Sequence, residues 1–342
     1  MTTLDDVARA AGVSRMTASN ALRGKSVVRA STAAKVLKAA KKLNYQPNLA
    51  ARQLSSGRTN VIGFSTVELD NSPFSSDLAS AVSDLAVQKG YQTLIQQTRY
   101  STAYESSMLS AVSTQFTDGM ILCAPSVSEE TIRQVNEKYP LVVFDASFEN
   151  YDAIDRVLTP CEEGAFAATS HLIDQGCERI LVLGAYWHDD DELAHTVTSD
   201  GKRLRGVANA LSAHGMTLQR ELVHRCGWNM DDGYRTMQQL LDDGLSFDGL
   251  FCLTDVIAIG AMRALIERGL RIPQDVAVVG FDGLPSGKFL NPPLSSVVID
   301  PKDVAQECLT LLLDRIDSPD DHEFSCRTVP FSLRVGDSSR RS

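Results

Sequence analysis

From residue 61 to about residue 335, short apolar runs alternate repeatedly with longer stretches of helical period. Runs such as Ile180 to Leu183 and Val276 to Phe281 have the length of buried strands. Alternation of this kind predicts parallel sheets with helices on both faces, and the number of strands predicts two lobes. The candidate strands are 61–65, 91–96, 119–124, 141–144, 179–184, 249–253, 276–281 and 296–299, and the candidate helices lie near 75–89, 104–116, 129–138, 162–175, 201–214, 232–243, 256–268 and 301–315.

The first 45 residues have no strand pattern and predict three short helices. Thr3 is placed to begin a helix that runs to about Ala10, with Asp6 completing a capping box. Gly12 ends that helix, and Ser14 is placed to begin a second one over residues 15–22. This spacing is that of a helix-turn-helix. A third helix is expected from Ser31 or Thr32 to about Leu43, and the predicted core of the three helices contains Leu4, Val7, Ala8, Val13, Ala18, Leu22, Ala33, Val36, Leu37, Ala40 and Leu43.

A proline and a polar stretch separate this helical head from the α/β body. Pro47 ends the head, residues 49–54 are helix-prone but too short to be stable alone, and residues 55–60 form a polar linker. We therefore expect a head at 1–46, a hinge helix and linker at 47–60, and a body at 61–342. The expected lobes of the body are 61–160 with 292–318, and 161–290 with 320–337.

Charge divides the chain at the same place. Residues 1–60 hold eleven Lys and Arg against two Asp, a net charge of +9, whereas the whole chain carries −10, so the body carries −19. A basic head on an acidic body fits a head that binds nucleic acid phosphates.

No run approaches the roughly 20 apolar residues of a membrane helix, and the first residues are acidic where a signal peptide is basic. We expect a cytoplasmic protein. The seven cysteines lack the spacing of a zinc site and predict neither disulfides nor metal.

Four segments in order, Thr3–Ala8, Ala11–Ser14, Leu43–Asn48 and Ala51–Leu54, resemble the head and hinge of the lactose-repressor family of transcription regulators, and the similarity continues to about residue 335. The resemblance implies a body like that of periplasmic binding proteins. It also implies a homodimer on a pseudo-palindromic double-stranded DNA operator, controlled by a small effector, expected to be a sugar.

The second helix of a helix-turn-helix enters the major groove. Arg15 can bind the two acceptors of a guanine, Asn20 a base or a phosphate, and Met16 a thymine methyl group. The alternative is that Arg15 and Asn20 are simply solvated. The full set expected to bind DNA in the head is Thr3, Ser14, Arg15, Met16, Thr17, Ser19, Asn20 and Arg29.

The resemblance also implies that the hinge forms a helix in the minor groove, with Leu54 inserted at the central base step, a mode that kinks the duplex. Its expected DNA contacts are Asn48, Ala51, Arg52 and Leu54. In the alternative, Leu54 packs on its own body.

Six residues of the body match effector-binding positions of the family: Phe74, Asp145, Arg203, Trp228, Asp255 and Asp282. Carboxylates at strand ends accept hydroxyl hydrogens, an arginine donates a fork, and aromatic faces cover a sugar ring. Alternatively Asp255 only caps its helix, and the aromatic residues belong to the core. This chain has Thr254 where the family commonly has Asn, which leaves the identity of the ligand open.

Other functions fit the sequence less well. The chain contains no phosphate-binding glycine loop, nucleophile elbow or paired-histidine metal motif, so we expect neither an enzyme nor a cofactor. An exported sugar-binding protein would lack the basic head. A purine, a sugar phosphate or a protein remains open as the effector. No heptad-bearing tail follows the last strand, so a dimer is expected rather than a tetramer.

Overall fold

The described part of the amino-terminal unit contains three helices, and residues that the sequence predicts set both ends of the first and the start of the second. The computed structural model describes residues 2–22, 27–45, 58–109, 116–146, 148, 153–319 and 322–341. The chain divides into the units Met1–Thr59 and Asn60–Ser342. The helices described in the first unit are α1 (Leu4–Ala11), α2 (Arg15–Leu22) and α3 (Ala30–Lys42).

Local hydrogen bonds fix the start of α1 and the turn between α1 and α2. The Thr3 hydroxyl accepts from the Asp6 amide at 3.3 Å, and the Asp6 carboxylate accepts from the Thr3 amide at 2.9 Å, which completes the capping box. Gly12 ends α1 at φ 65°, a conformation that favours glycine. The Ser14 hydroxyl accepts from the Thr17 amide at 3.1 Å. The predicted helix-turn-helix is confirmed.

Two details of the third helix differ from the prediction. It begins at Ala30, after Arg29, whose side chain makes no capping hydrogen bond. Leu37 is 53 % exposed, and Ala39 occupies the core position beside Val36 instead. Two alanines precede Val36, at 33–34, and two follow it, at 39–40, so the apolar period alone does not fix which of these neighbours face inward.

The described strands of the second unit form two six-stranded sheets, each wound with helices. The first has the order β11-β5-β4-β3-β1-β2 and the second β12-β10-β9-β8-β6-β7. Neighbours are parallel except that β12 is antiparallel to β10. The strands are β1 (Val61–Thr66), β2 (Gln92–Gln97), β3 (Gly119–Cys123), β4 (Leu141–Phe144), β5 (Asp155–Leu158), β6 (Ile180–Leu183), β7 (Val223–His224), β8 (Gly249–Cys252), β9 (Ala277–Asp282), β10 (Ser295–Val298), β11 (Cys326–Thr328) and β12 (Ser332–Arg334).

Alternate strand residues point to opposite sides of a sheet, and strands such as β3 and β4 are buried at every residue. Both faces of the sheet are therefore apolar, and helices cover them. In β3, Ile121 joins one buried cluster, whereas Met120 and Leu122 join another. The predicted two-lobed α/β fold is confirmed. The described helices of this unit are α4 (Pro73–Gln88), α5 (Thr102–Ser107), α6 (Glu129–Asn136), α7 (Cys161–Asp174), α8 (Asp190–His195), α9 (Ser199–Ala213), α10 (Met230–Asp242), α11 (Asp255–Glu267) and α12 (Pro301–Asp317).

The crossings between lobes differ from the expected boundaries. The strand β10 pairs with β9 of the second sheet, although 292–318 was expected in the first lobe. Conversely, β11 pairs with β5 of the first sheet, although 320–337 was expected in the second. Both strands are short and lie near the sheet edges, where pairing depends on the neighbouring strand more than on the strand's own pattern.

The acidic run that follows Trp187 forms the short helix α8. Asp189 caps α8, with its carboxylate accepting from the Glu192 amide at 2.9 Å and the Glu192 carboxylate accepting from the Asp189 amide at 3.1 Å. Acids in the first turn also favour the helix dipole. Trp187 packs partly buried against the core and does not line the cavity described below.

No described helix has both the length and the apolar character needed to span a membrane. The seven cysteines are free thiols, and all except Cys326 are buried. Six of them therefore pack as small hydrophobic residues.

The helices α7 and α9 approach so closely that only glycine fits at Gly206. A Cβ there would lie 2.2 Å from the carbonyl oxygen of Glu162. We expect Gly206→Ala to lower the free energy of unfolding by about 1–3 kcal/mol, because the helices must move apart. Chemical denaturation would measure this, with Ser212→Ala on the exposed face of α9 as the control. Equal stability of the two variants would contradict the close packing.

Candidate functional site

The amino-terminal half of α2 presents its side chains to solvent. Met16 is 75 % exposed, and the side chain of Arg15 is 67 % exposed and lies 3.6 Å from the Asp5 carboxylate. Asn20 and Ser19 are partly exposed, whereas Ala18 is buried against the other helices. Arg15 and Met16, two of the three residues expected to contact bases, are therefore the most exposed residues of this helix.

The other residues expected to bind DNA fall into two groups. Thr3, Ser14 and Thr17 use their hydroxyls in the helix caps, and a group at a helix amino terminus can also meet a phosphate. Arg29 is exposed just before α3. The expected hinge contacts lie outside the described residues: Asn48, Ala51, Arg52 and Leu54.

A cavity of about 770 Å³ lies between the two sheets of the body, at the carboxyl ends of their strands. Open α/β sheets bind ligands at this edge. Five of the six predicted effector residues line it, namely Phe74, Asp145, Arg203, Trp228 and Asp282.

Arg203 is the central cation of this group and is only 4 % exposed. Its guanidinium lies 3.7 Å from the Phe281 ring centroid and 5.1 Å from that of Trp228. It donates to the Leu253 carbonyl and approaches the Asp282 carboxylate at 3.7 Å. Its buried Nε has no partner among the described residues. The geometry fixes the guanidinium as a planar donor facing the cavity.

Two carboxylates flank this arginine, one from each lobe. Asp145, at φ 50° just after β4, accepts from the amide and hydroxyl of Thr159, both at 2.7 Å. Burial raises the pKa of Asp145, and the two Thr159 bonds oppose the rise. Burial also raises the pKa of Asp282, at the end of β9, to about 8, although nearby Arg203 lowers it. Both groups can accept hydrogen bonds from ligand hydroxyls.

Aromatic rings cover two sides of the cavity. Phe74, the second residue of α4, stacks on Phe144 with ring centroids 6.4 Å apart. Trp228 is 37 % exposed and its indole N–H donates to the Gly184 carbonyl at 2.9 Å. A packed core residue would be more buried, so the exposed face of Trp228 fits a ligand-binding role.

Asp255 does not line the cavity. It is fully buried, and its carboxylate accepts from the Leu284 amide and the Ser296 hydroxyl, both at 2.6 Å. Burial raises the pKa of Asp255 to about 7, and these two bonds oppose the rise. Gly280 leaves the space that this carboxylate fills, since a Cβ there would lie 2.2 Å from it. Asp255 therefore joins α11 to β9 and β10, and Thr254, not Asp255, caps the helix and faces the cavity.

Several lining residues have no clear signal in the sequence. They follow short strands or begin helices, where polar residues are common for reasons unrelated to ligands. They include Glu68, Asn71, Ser72, Tyr100, Tyr186, Thr198, Ser199, Asp200, Arg225 and Asn229.

The raised pKa of Asp282 predicts a pH dependence. In the unfolded chain this carboxyl ionises near 3.8, whereas in the folded protein it keeps its proton to about 8. Between these two pKa values the folded state holds a proton that the unfolded chain has lost. The contribution of Asp282 to stability is therefore fully present below pH 3.8 and is lost as the pH rises to about 8. We expect the free energy of unfolding of the wild type, relative to Asp282→Asn, to fall by a few kcal/mol between pH 5 and 9. Denaturation at both pH values measures it; a constant difference would show that Asp282 is ionised throughout.

Both the head and the body of this chain match known protein families. Residues 3–48 match the family of bacterial regulatory proteins of the lacI type, and residues 169–339 match the periplasmic binding protein-like domain. The ribose operon repressor of Halalkalibacterium halodurans is 32 % identical over 93 % of this chain and 91 % of that protein. The chain belongs to the lacI family of bacterial regulatory proteins.

Other members of the lacI family extend this likeness. The HTH-type transcriptional repressor PurR of Pasteurella multocida is 30 % identical, covering 92 % of each chain. The crystal structure of the lac repressor dimer bound to operator and the anti-inducer ONPF is 26 % identical with a TM-score of 0.83, covering 99 % of each chain. The complex of the regulator CelR with cellobiose is 28 % identical with a TM-score of 0.71, covering 99 % of this chain and 100 % of that one.

Family membership establishes the general role. The relatives are DNA-binding transcriptional repressors and not enzymes. Members of the lacI family bind DNA and small-molecule effectors as dimers.

Proposed function

We propose that this lacI-family member represses transcription in the cytoplasm as a homodimer on a pseudo-palindromic operator, and that a sugar bound in the cavity controls its operator affinity. The observation that carries the effector proposal is the grouping of Asp145, Arg203 and Asp282 beside the faces of Phe74 and Trp228. Paired acceptors, a donor fork and flat apolar faces complement a ring that carries hydroxyl groups.

The charges of the cavity favour a neutral ligand. Its described lining contains three acids besides Asp282, whose raised pKa keeps it protonated at neutral pH, and two cations. The three acids are Glu68, Asp145 and Asp200, and the cations are Arg203 and Arg225. A phosphorylated sugar would meet net negative charge at close range. A neutral sugar would not, and its hydroxyls would satisfy the carboxylates.

The operator proposal rests on the head. Arg15 and Met16 are exposed at the start of α2, where a recognition helix meets base edges. Two heads roughly 34–36 Å apart would contact successive major-groove faces of an inverted repeat. We retain the proposal that Asn48, Ala51, Arg52 and Leu54 bind the minor groove, on the basis of the family resemblance.

Two assays test this function separately. In a thermal-shift screen of neutral sugars, sugar phosphates and nucleobases, a neutral sugar is expected to give the largest rise in melting temperature. Selection of the full-length protein on random duplexes is expected to yield an inverted repeat. A largest shift with a nucleobase would replace the sugar, and failure to enrich an inverted repeat would refute the operator proposal.

A further inference from the structure

Two exposed tyrosines line the cavity in addition to the group around Arg203. Tyr186, on the second lobe, is 49 % exposed, and Tyr100, on the first lobe, is 69 % exposed. Neither belongs to the buried cores of the lobes. Aromatic faces left in solvent at a cavity commonly mark a place where a partner covers them.

The structure holds Tyr186 against Arg225. Tyr186 follows β6 and Arg225 follows the adjacent parallel strand β7, in which His224 is paired with Leu183. The guanidinium carbon of Arg225 lies 4.3 Å from the Tyr186 ring centroid. Within the described residues Arg225 makes no hydrogen bond and no ion pair, so its donors are available to ligand oxygens.

Tyr100 is held by a constrained backbone. Arg99 and Tyr100 both have positive φ, 53° and 59°, a conformation that costs non-glycine residues free energy. The Arg99 guanidinium donates to the Asp70 carboxylate at 3.0 Å, which joins this turn to the loop after β1. Strain of this kind at a cavity points to a functional placement of the ring.

The cavity is also large for one sugar ring. Its volume of about 770 Å³ would hold on the order of 25 water molecules. A hexose, with a dozen heavy atoms, displaces only about six of them. A single ring on Asp145, Arg203 and Asp282 would leave most of the cavity filled with water.

We propose that the effector is a neutral oligosaccharide of at least two rings. One ring binds the group around Arg203, and the next binds an outer subsite of Tyr186, Arg225 and Tyr100. This inference rests on the proposed sugar effector and adds its length. Tyr186 and Tyr100 would cover ring faces, and Arg225 would donate to hydroxyl or glycosidic oxygens.

Isothermal titration calorimetry of the full-length protein tests the outer subsite. The probes are four series: glucose with cellobiose and cellotriose, glucose with maltose and maltotriose, galactose with lactose, and xylose with xylobiose. In the series that binds best, the disaccharide is expected to bind at least tenfold more tightly than its monosaccharide. Tyr186→Ala and Arg225→Ala should each weaken disaccharide binding about tenfold and leave monosaccharide binding unchanged.

Two variants serve as controls. Phe289→Ala removes an aromatic side chain that is 87 % exposed and lies outside the cavity, and should change neither affinity. Tyr186→Phe keeps the ring and should keep the preference for the disaccharide. A monosaccharide that binds as tightly as its oligomers, or variants that weaken both equally, would overturn the outer subsite while leaving the sugar effector intact. Binding of a nucleobase in place of every sugar would overturn both.

Discussion

Arg203→Ala should weaken effector binding about a hundredfold or more. The guanidinium is held between Phe281 and Trp228 and faces the cavity, so its loss removes a charged donor fork. Hydrogen bonds to a charged group contribute about 1.5–3 kcal/mol each, and two of them account for this factor. The variant also leaves the Asp282 carboxyl without the cation that lowers its pKa. Calorimetric titration with the effector found by the thermal-shift screen measures the loss.

Arg205→Ala is the matched control for this prediction. Arg205 lies on the same helix, but it pairs with the Glu162 carboxylate at 2.8 Å and is absent from the cavity lining. Its loss should lower stability and leave effector affinity within about twofold. If Arg203→Ala, folded by circular dichroism, binds as Arg205→Ala does, then Arg203 has no part in binding.

Arg15→Ala should weaken binding to the selected operator about 10- to 100-fold and relax the preference at one base pair in each half-site. A bidentate contact between arginine and guanine contributes about 1–3 kcal/mol of discrimination. The exposed position of Arg15 at the start of α2 permits this contact once the side chain leaves Asp5. Fluorescence anisotropy with the operator and its single-base variants, at fixed salt, measures both effects.

The control for Arg15 must remove the same charge without removing a base contact. Lys38 is exposed on α3 and suits this purpose. Lys38→Ala should reduce affinity for all duplexes alike and lower the salt dependence. If Arg15→Ala also weakens all duplexes equally, Arg15 contacts phosphates and does not read bases.

Helix ends and strand ends could be predicted from the sequence because single residues determine them. Thr3, Gly12 and Ser14 give the caps of the head through local hydrogen bonds and backbone conformation. Asp145 and Asp282 follow apolar strands, so their place at the sheet edge follows from the strand pattern.

Features that depend on tertiary packing could not be predicted in this way. Asp255 follows a strand just as the other two acids do, but its carboxylate accepts a hydrogen bond from Ser296, which lies 41 residues further along the chain, and is therefore buried. The strand before Arg225 has only two residues, too few for a pattern. The contact between Arg225 and Tyr186 at the cavity could therefore not be predicted from the sequence.

The affinity of the full-length protein for its selected operator, with and without saturating effector, tests the central claim most directly. Coupling between the cavity and the head predicts at least a tenfold change in the operator Kd, and the operator must change the effector Kd by the same factor. An operator Kd that stays within twofold at saturating effector would contradict the account.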